Sequence, residues 1–297
     1  MYWQTTHFQI DLRRPRVMGI VNVTPDSFSD GGCHDTSVQA LRHCEQLLRD
    51  GADVLDIGGE STRPGAAPLN LQDELARVVP VVRGAVKLGV PVSVDTYKPQ
   101  VMQAVLDLGA DIINDVWALR WQDGGNALTG AQVVARHPNC GVCLMHMHLQ
   151  PQTMQVQPMQ GDVVPQVLSF LKHTAHDLKG LGVEKSRVVL DPGIGFGKTV
   201  AQNFSLLARQ AELLVAGYPL LIGWSRKSSL AGMTLHASQG EALSAQQRLV
   251  PSVAAALLAA ERGAAVLRVH DVKETVQALQ VLAAITSAPT PHNNTAG

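Results

Sequence analysis

The sequence predicts a single (β/α)₈ barrel, because short apolar strands alternate with helical patterns along nearly all of its 297 residues. The stretch RVVLDPGIGFGK, residues 187–198, shows the repeating plan most clearly. Its uninterrupted apolar run is typical of a strand buried on both faces of a parallel sheet, and the run ends at Asp191. Pro192 stops the strand, and three glycines allow the turns that follow. An open doubly wound sheet is the alternative fold.

Eight such strands follow one another along the chain, and their order sets the geometry of the barrel. Right-handed crossovers between parallel strands bring every carboxyl end to the same rim. The predicted strands are Arg16 to Val23, Asp53 to Ile57, Pro91 to Val94, Ala110 to Asn114, Gly141 to Met145, Val188 to Leu190, Pro219 to Gly223 and Ala265 to Val269.

Helical patterns fill the intervals between these strands. They predict a helix over Ser37 to Arg49, a helix over Leu71 to Leu88 that Pro80 must kink or split, and a helix over Pro99 to Leu108. The alternating residues HFQIDL near the start predict a small hairpin or cap. The expected organisation is therefore a cap over residues 1–15, a barrel over 16–286 and a disordered tail over 287–297.

The composition argues against several classes of protein. Lys and Arg number 24 and Asp and Glu 25, so the chain lacks the charge excess that binds nucleic acid or an anionic membrane. No signal-peptide pattern opens the sequence, and no apolar run reaches the roughly 18 residues of a membrane span. The Ala-rich segment Val250 to Ala260 is interpreted as a buried helix. We expect a cytoplasmic protein whose partners are small molecules.

Nearly every predicted strand ends in a polar side chain. One such residue alone is more often a turn former or a helix cap than part of a site. Eight of them on one rim predict a functional site. Two long glycine-rich loops, Asn22 to Asp35 and Gly58 to Leu69, predict mobile lids over it, with ordinary surface loops as the alternative.

The rim residues fall into two chemical groups. Asp95, Asn114 and Asp191 supply carboxylates and an amide, which suit a flat heterocycle with several N–H donors and carbonyl acceptors. The second group is cationic and suits phosphate; it comprises Arg63, Lys227, Arg268 and His270. The sequence thus predicts a ligand with a heterocyclic part and an anionic part.

Three short motifs resemble sites of other chemistry but depart from them. PGIGFGKT, residues 192–199, has Pro192 where a phosphate-binding loop begins with glycine. Cys140 and Cys143 form a C-x-x-C, but positions three apart in a strand face opposite ways, which disfavours a metal or redox site. GWSRK, around Ser225, lacks the final glycine of a nucleophile elbow.

Eight stretches together resemble the bacterial dihydropteroate synthases, a family of pterin-binding barrels. They occur in the order of the family and cover almost the whole chain. They are MGIVNVTPDSFSDGG (Met18 to Gly32), DIGGESTRPGA (Asp56 to Ala66), VSVDTYKP (Val92 to Pro99), INDV (Ile113 to Val116), LMHM (Leu144 to Met147), LDPGIGFGK (Leu190 to Lys198), GWSRKS (Gly223 to Ser228) and RVHDV (Arg268 to Val272).

The resemblance implies condensation of 6-hydroxymethyl-7,8-dihydropterin diphosphate with 4-aminobenzoate to 7,8-dihydropteroate and diphosphate, on the route to folate. The implied pterin site comprises Asp95, Asn114, Met145, Asp191, Gly223, Lys227 and Arg268. The implied diphosphate site comprises Asn22, Thr62, Arg63, Arg268 and His270, and the implied aminobenzoate site Thr62, Pro64, Phe196 and Ser228. The implied catalytic residues are Arg63, Asp95, Lys227, Arg268 and His270.

The resemblance also implies a cofactor, a mechanism and an assembly. Mg²⁺ is expected near Asn22, and Arg268 is expected to stack on the pterin face and to reach the diphosphate. Diphosphate would leave before the amine attacks, so that no nucleophilic side chain is needed. A homodimer through helices late in the chain is implied, in agreement with the apolar character of Pro251 to Ala260.

One departure from the family follows Leu144 to Met147, where His148-Leu149 replaces the usual Gln-Gly. Leucine at a glycine turn predicts backbone strain and a loop of different shape. His148 is expected to face solvent, with a new rim ligand as the alternative. Two alternative functions follow from the pterin-binding residues. One is a methyltransferase from a methylated folate to a corrinoid, which would need neither the diphosphate residues nor the lids. The other is a non-catalytic pterin-binding paralogue.

Overall fold

The computed structural model describes residues 1–24, 33–61, 65–122, 128–151, 153–233 and 242–287, and for 33–35 the backbone alone. Two sheets are present in this part of the chain. A two-stranded antiparallel sheet pairs β1 (Tyr2–Gln4) with β2 (Gln9–Asp11), in agreement with the hairpin expected at the start of the chain. Eight parallel strands close into a barrel, which confirms the (β/α)₈ prediction over the doubly wound alternative.

The barrel strands are short, and most of their residues are buried. They are β3 (Arg16–Asn22), β4 (Val54–Gly58), β5 (Val92–Asp95), β6 (Ile112–Asp115), β7 (Gly141–Met145), β8 (Val188–Asp191), β9 (Leu220–Ile222) and β10 (Ala264–Val269). Consecutive strands pair from β3 to β10, with an irregularity between Ala264 and Val266 where β10 meets β9, and β10 pairs with β3 to close the ring. All carboxyl ends therefore meet at one rim.

The helices of the described residues lie in the connections between these strands and after the last one. They are α1 (Cys33–Arg49), α2 (Leu71–Ala85), α3 (Pro99–Asp107), α4 (Gly130–Arg136), α5 (Val163–Gly180), α6 (Val200–Ala208), α7 (Gln210–Leu213), α8 (Leu249–Glu261) and α9 (Val272–Thr286). None of the helices in this part of the chain is both long and apolar enough to cross a bilayer.

The core is divided by the barrel wall. One large buried cluster lies between strands and helices, and Val21, Ile57 and Leu144 belong to it. A second cluster contains Met18, Cys143 and further strand residues together with Trp3 of β1. Because neighbouring residues of a strand face opposite ways, every barrel strand except β5 contributes apolar residues to both clusters.

The hairpin contributes a large buried aromatic side chain to this second cluster. Trp3 is completely buried, and its indole Nε1 donates a hydrogen bond of 2.9 Å to the carbonyl oxygen of Arg187, just before β8. Gly141, the first residue of β7, makes room for it, because a Cβ there would lie 3.0 Å from the indole nitrogen. The hairpin therefore packs at the amino-terminal ends of the strands, opposite the rim that carries the polar residues.

Two helix predictions are wrong in detail. α2 runs without interruption through Pro80 and gives way to a 3₁₀ turn, Val86–Leu88, only before Gly89. Pro80 is exposed, so the carbonyl that loses its helical donor lies on the side of the helix where water can satisfy it. The first barrel helix was expected to begin at Ser37 but begins at Cys33, directly after the glycine pair. The tail beyond Ser287 lies outside the described residues.

Replacing Trp3 with alanine tests whether the hairpin stabilises the barrel. We expect Trp3→Ala to lower the free energy of unfolding by about 3–5 kcal/mol, because a buried indole and its hydrogen bond are lost. Urea unfolding followed by circular dichroism would measure the change. Tyr2→Ala is the matched control, since Tyr2 is 51% exposed and its removal should change stability little. Equal effects of the two substitutions would contradict this role of the hairpin.

Candidate active site

Four of the predicted pterin residues lie at the carboxyl ends of four neighbouring strands. Asp95, the last residue of β5, pairs with Asn114 of β6, and Met145 of β7 pairs with Asp191 of β8. All four side chains are buried. Residues separated by almost one hundred positions in sequence thus line the same end of the barrel.

A guanidinium connects the carboxylates of this rim. Arg268 of β10 donates from Nε to Asp56 Oδ2 at 2.6 Å and from Nη2 to Asp95 Oδ2 at 2.7 Å. Asn114 donates from Nδ2 to the same oxygen of Asp56 at 3.2 Å. We call Asp56, Asp95, Asn114 and Arg268 the Arg268 cluster. It unites three predicted pterin residues with Asp56, a rim residue to which the sequence assigned no particular ligand.

Burial controls the protonation of this cluster. Burial raises the pKa of Asp95 to about 7, with Arg268 opposing the shift and Asp56 adding to it. Burial likewise raises the pKa of Asp191. Burial alone would lower the pKa of Arg268, but Asp56 and Asp95 raise it above its ordinary value, so the guanidinium stays charged. The result is a dry mouth rich in hydrogen-bond acceptors, which suits a ligand with several N–H groups.

Asp115 shows that not every polar residue at a strand end belongs to the site. Its carboxylate accepts hydrogen bonds from the backbone N–H groups of Trp117 at 2.7 Å and Leu119 at 2.8 Å. It thereby shapes the turn after β6, which is the usual role of an aspartate in this position. Its neighbour Asn114 instead joins the Arg268 cluster.

The loop of residues 192–199 follows Asp191 and brings Phe196, a predicted aminobenzoate residue, close to Lys227, a predicted pterin residue. The backbone N–H of Gly193 donates to Asp191 Oδ1 at 2.7 Å, which orients that carboxylate. Gly193 has a φ of 69°, in the region that favours glycine, as the sequence predicted. The ammonium of Lys227 lies 4.4 Å from the centre of the Phe196 ring, a cation–π contact. Lys227, a residue of the predicted pterin site, therefore lies beside Phe196 of the predicted aminobenzoate site.

The predicted aminobenzoate site is described in part. Phe196 packs in a buried cluster with Met145 and other apolar residues near the rim. Ser228 is exposed and begins a short 3₁₀ turn after Lys227. Asn203 of α6 links the two sides, because it accepts from Gly195 N at 2.9 Å and donates to Ser229 Oγ at 2.9 Å. Thr62 and Pro64 lie outside the described residues.

The predicted diphosphate residues that are described follow β3 and β10. Asn22 ends β3, and His270 directly follows β10. Ser225 Oγ lies 3.0 Å from His270 Nδ1 and accepts from the backbone N–H of His270 at 3.1 Å. The hydroxyl can donate its own hydrogen to Nδ1, which assigns the ring hydrogen of a neutral imidazole to Nε2. Arg63 lies outside the described residues.

The donor set fits Mg²⁺ only if the substrate supplies most of the ligands. Among the described residues, no group of three His, Cys, Asp or Glu side chains could hold a metal ion. Asn22 offers one amide oxygen, a hard donor of the kind that Mg²⁺ binds. Mg²⁺ commonly keeps its waters and uses phosphate oxygens beside one or two protein ligands. The residues present are therefore compatible with a magnesium diphosphate.

The structure agrees with the rejection of the three short motifs. Lys198 of PGIGFGKT is buried, and its ammonium donates to the carbonyl oxygens of Gly193 and Phe196. Cys140 and Cys143 belong to different core clusters. Ser225 pairs with His270, but the next acidic residue, Asp271, binds Arg226 at 2.5 Å and so does not act as the third member of a triad.

The departure from the family at His148-Leu149 has the predicted structural effect. Leu149 has a φ of 57°, a conformation that L-residues other than glycine adopt at a cost. Its side chain is 43% exposed, so little burial compensates for the strain. His148 was expected to face solvent, but it is half-buried. It packs closely against Gly197, where an added Cβ would lie 2.6 Å from the Cβ of His148.

A buried ion cluster anchors the ends of the second predicted lid. Lys98 donates to carboxylate oxygens of both Glu60 and Glu74, the latter at 2.5 Å. Glu60 also accepts from Tyr97 Oη at 2.8 Å and from the backbone N–H of Leu69 at 3.2 Å. Because Glu60 and Leu69 flank the loop, this carboxylate fixes its two ends together. Sequence reasoning had assigned Lys98 and Glu74 no function.

The sequence places Asp56 among the polar residues of the rim but predicts no partner for it, and it predicts no contact of Lys198 or Ser225 with the site. A carboxylate within the apolar strand VLDIG must be buried and paired, which is the signal for the role of Asp56. The contacts of Lys198 and Ser225 join segments far apart in sequence, and no local pattern predicts them.

Comparison with known proteins identifies the relatives of this barrel. Residues 18–270 match the family described as pterin binding enzyme. A dihydropteroate synthase of Neisseria meningitidis serogroup B is 48% identical over 288 residues, which are 95% of this chain and 97% of the relative. The match thus extends over nearly the full length of both proteins.

Two solved structures are similar in fold and sequence. Dihydropteroate synthase of Xanthomonas albilineans with 4-aminobenzoic acid has a TM-score of 0.84 and 48% identity, and the match covers 95% of this chain and 96% of that one. Dihydropteroate synthase of Burkholderia cenocepacia complexed with 7,8-dihydropteroate has a TM-score of 0.83 and 45% identity, with 96% of each chain covered.

The strain at Leu149 is open to a direct test. We expect Leu149→Gly to raise the free energy of unfolding by about 1 kcal/mol, because glycine adopts a positive φ without steric cost. Thermal or urea unfolding would measure the difference. Leu181→Gly is the control: Leu181 is 50% exposed but has a φ of −85°, so glycine should lower stability there. Destabilisation by both substitutions would contradict strain at Leu149.

Proposed function

Because this chain belongs to the dihydropteroate synthase family, we propose that it condenses 6-hydroxymethyl-7,8-dihydropterin diphosphate with 4-aminobenzoate, forming 7,8-dihydropteroate and diphosphate. The observation that carries the proposal is the Arg268 cluster together with Asp191. These groups make a buried ring of acceptors with one guanidinium at the mouth of the barrel. This arrangement matches a heterocycle with several N–H donors joined to an anionic leaving group.

The acceptor ring is the proposed pterin site. Asp95, Asn114 and Asp191 would recognise the N–H groups and carbonyl of the pterin, with Met145 and Gly223 at its sides. The charge of the ring supports the reaction as well as binding. Two carboxylates with pKa values raised by burial are costly anions, and a ligand that acquires positive charge relieves that cost.

The chemistry is a substitution at the methylene carbon of the pterin. The C–O bond breaks with its electron pair leaving on diphosphate, and the amine nitrogen of 4-aminobenzoate then forms the new C–N bond and loses a proton. Arg63, Arg268 and the Nε2 of His270 would bind the departing diphosphate, and Lys227 would hold the pterin beside Phe196. When Mg²⁺ is bound, it neutralises charge on the diphosphate. Stabilising the separated charges is the task of the protein in this scheme.

The arrangement needs no nucleophilic side chain. Ser225, the nearest candidate, uses its hydroxyl to orient His270. Phe196 and the methionines near it provide an apolar wall, which would keep water from competing with the weakly nucleophilic amine. Cys44, Cys140 and Cys143 are free and buried, which supports the expectation that the protein works in the reducing cytoplasm.

Steady-state release of diphosphate, measured with and without 4-aminobenzoate, tests the proposal together with two variants. We expect release to depend on 4-aminobenzoate and to equal the formation of dihydropteroate. Asp95→Asn and Arg268→Ala should each lower turnover by on the order of a hundredfold or more, because each removes a charge aimed at the reacting groups. Asp177→Asn and Arg49→Ala, at exposed positions on helices, are matched controls.

Each possible outcome of that assay has a clear meaning. Near-normal turnover of either site variant would refute the assignment of that residue. Binding of the pterin without condensation under any condition would favour the non-catalytic paralogue. Methyl transfer from a methylated folate, with no diphosphate release, would favour the corrinoid methyltransferase.

We also propose that the protein is a homodimer through α8 and α9. Val250 and Leu258 of α8 are 75% and 42% exposed, and Val281 and Ile285 of α9 are 58% and 66% exposed. Exposed apolar side chains concentrated on adjacent helices are typical of an interface.

Light scattering at micromolar concentration tests this assembly. We expect the mass of a dimer for the unmodified chain, and the mass of a monomer for Val281→Asp combined with Ile285→Asp, because buried charges oppose association. Val156→Asp, at a 78% exposed position in the loop after β7, should remain dimeric. A monomeric unmodified chain would contradict the proposal.

A further inference from the structure

A buried ammonium lies beneath the loop of residues 192–199. Lys198 is only 2% exposed. Its Nζ donates to the carbonyl oxygen of Gly193 at 2.8 Å and to that of Phe196 at 3.1 Å, and it lies 2.9 Å from His146 Nδ1. The carbonyl oxygen of His146 lies further away, at 3.4 Å. The three hydrogens of the ammonium are thus shared between two points of the loop and His146, the residue that follows β7.

The chemistry of Lys198 is unusual for a buried cation. Among the described residues, no carboxylate lies within ion-pair distance of its ammonium, in contrast to Lys98 with Glu60 and Glu74. Burying a charge without a paired counterion costs free energy, which an apolar residue of the same size would avoid. Such a group persists where its hydrogen bonds serve another purpose.

The hydrogen bonds of Lys198 hold the backbone that positions two proposed substrate-binding residues, Asp191 and Phe196. Gly193 passes the constraint to Asp191, because its N–H orients that carboxylate. The carbonyl of Phe196 fixes the backbone of the proposed aminobenzoate wall. Phe196 N also donates to the Gly193 carbonyl at 3.1 Å, so the ammonium closes a turn whose two ends carry these groups.

The loop is pressed against the segment after β7, where the ammonium sits. A Cβ at Gly193 would lie 1.9 Å from the carbonyl oxygen of His146, so only glycine fits there. His146 contacts the ring of Phe170 of α5 edge-on, with 4.9 Å between ring centres. A charged lysine has no acceptor, so His146 Nδ1 must accept and the imidazole must be neutral. Burial, followed by Lys198, lowers the pKa of His146 to about 2, which agrees.

We propose that Lys198 is a positioning residue that holds loop 192–199 in the conformation presenting the Asp191 carboxylate and the Phe196 ring to the substrates. It does so by donating to the carbonyls of Gly193 and Phe196 and to His146 Nδ1, and it touches no substrate itself. The inference rests on the proposed function for the roles of Asp191 and Phe196. It adds a residue that acts through backbone geometry alone.

The protonation of Lys198 gives this device a signature in pH. Burial lowers the pKa of Lys198 from 10.5 to about 7; Asp191 opposes the shift and Lys227 adds to it. His146 after β7, Asp191 of β8 and Lys227 after β9 are the titratable groups that face it. Above pH 7 the neutral amine has one donor fewer, so the loop loosens. The KM for 4-aminobenzoate should therefore rise with pH in the unmodified enzyme.

Lys198→Met tests the inference, because methionine fills similar space and donates no hydrogen bond. We expect KM for 4-aminobenzoate to rise by on the order of tenfold at pH 6.5–7 and to lose its dependence on pH. Lys179→Met, an exposed lysine of α5, is the matched control. A folded Lys198→Met protein whose KM and pH profile equal those of the unmodified enzyme would overturn the proposal.

Stability against pH provides an independent measurement of the same group. Because the folded pKa lies below the unfolded one, the unfolded chain binds more protons between pH 7 and about 10.5, and stability contributed by this group rises with pH over that range. Lys198→Met should lack that rise. An identical pH slope in both proteins would show that the ammonium is not strained by burial and would contradict the pH signature.

A second pair of variants covers the case in which Lys198→Met does not fold. His146→Leu removes the acceptor and should raise KM for 4-aminobenzoate, whereas His146→Asn places an oxygen near the position of Nδ1 and should restore it. Equal KM values for these two variants would count against the proposal. Failure of the unmodified chain to form dihydropteroate would instead refute the proposed function, so the two failures are distinguishable.

Discussion

The ion pairs of Arg268 are the constraint on which the rest of the site depends. Asp56 and Asp95 are buried carboxylates from two strands, and without a cation between them their repulsion would add to the cost of burial. Arg268 reaches both only because β10 closes the barrel onto β3, which places its guanidinium across the mouth. Closure of the barrel therefore also determines the charge balance of the site.

The barrel separates stability from chemistry along its axis. At the amino-terminal ends, Trp3 and Arg187 fasten the hairpin through a buried hydrogen bond. At the carboxyl ends, the buried groups are charged, and one of them, Asp95, has a pKa raised by burial to about 7. Apolar packing at the amino-terminal ends stabilises the fold and offsets the cost of the buried charges at the carboxyl ends. The site can therefore keep hydrogen-bond acceptors that are poorly satisfied before a ligand binds.

Strand order and the gathering of polar strand-end residues at one rim could be predicted from sequence, because parallel strands have a strong local signature and the fold determines where their ends meet. What could not be predicted depends on contacts between distant segments. Pro80 was expected to kink or split α2, but the helix continues through it, and exposure of that turn makes the lost hydrogen bond tolerable. Arg268 was expected to stack on the pterin and to reach the diphosphate, and nothing near it in sequence indicates that its guanidinium also binds Asp56, 212 positions earlier.

The buried lysines show why identical residues in one protein require different explanations. Lys98 is held by two carboxylates, and that pairing raises its pKa against burial, so its charge is secure and suits a permanent anchor for Glu60 and Leu69. Lys198 is held by carbonyl dipoles and an imidazole, and its charge is easily lost.

The function of loop 192–199 is the best explanation for this buried cation. Lys198 costs free energy to keep, and it lies behind Asp191 and Phe196 and fixes the loop that joins them. The geometry of two substrates meeting at one carbon leaves little tolerance for movement, and backbone hydrogen bonds from a buried ammonium restrict movement without occupying the site.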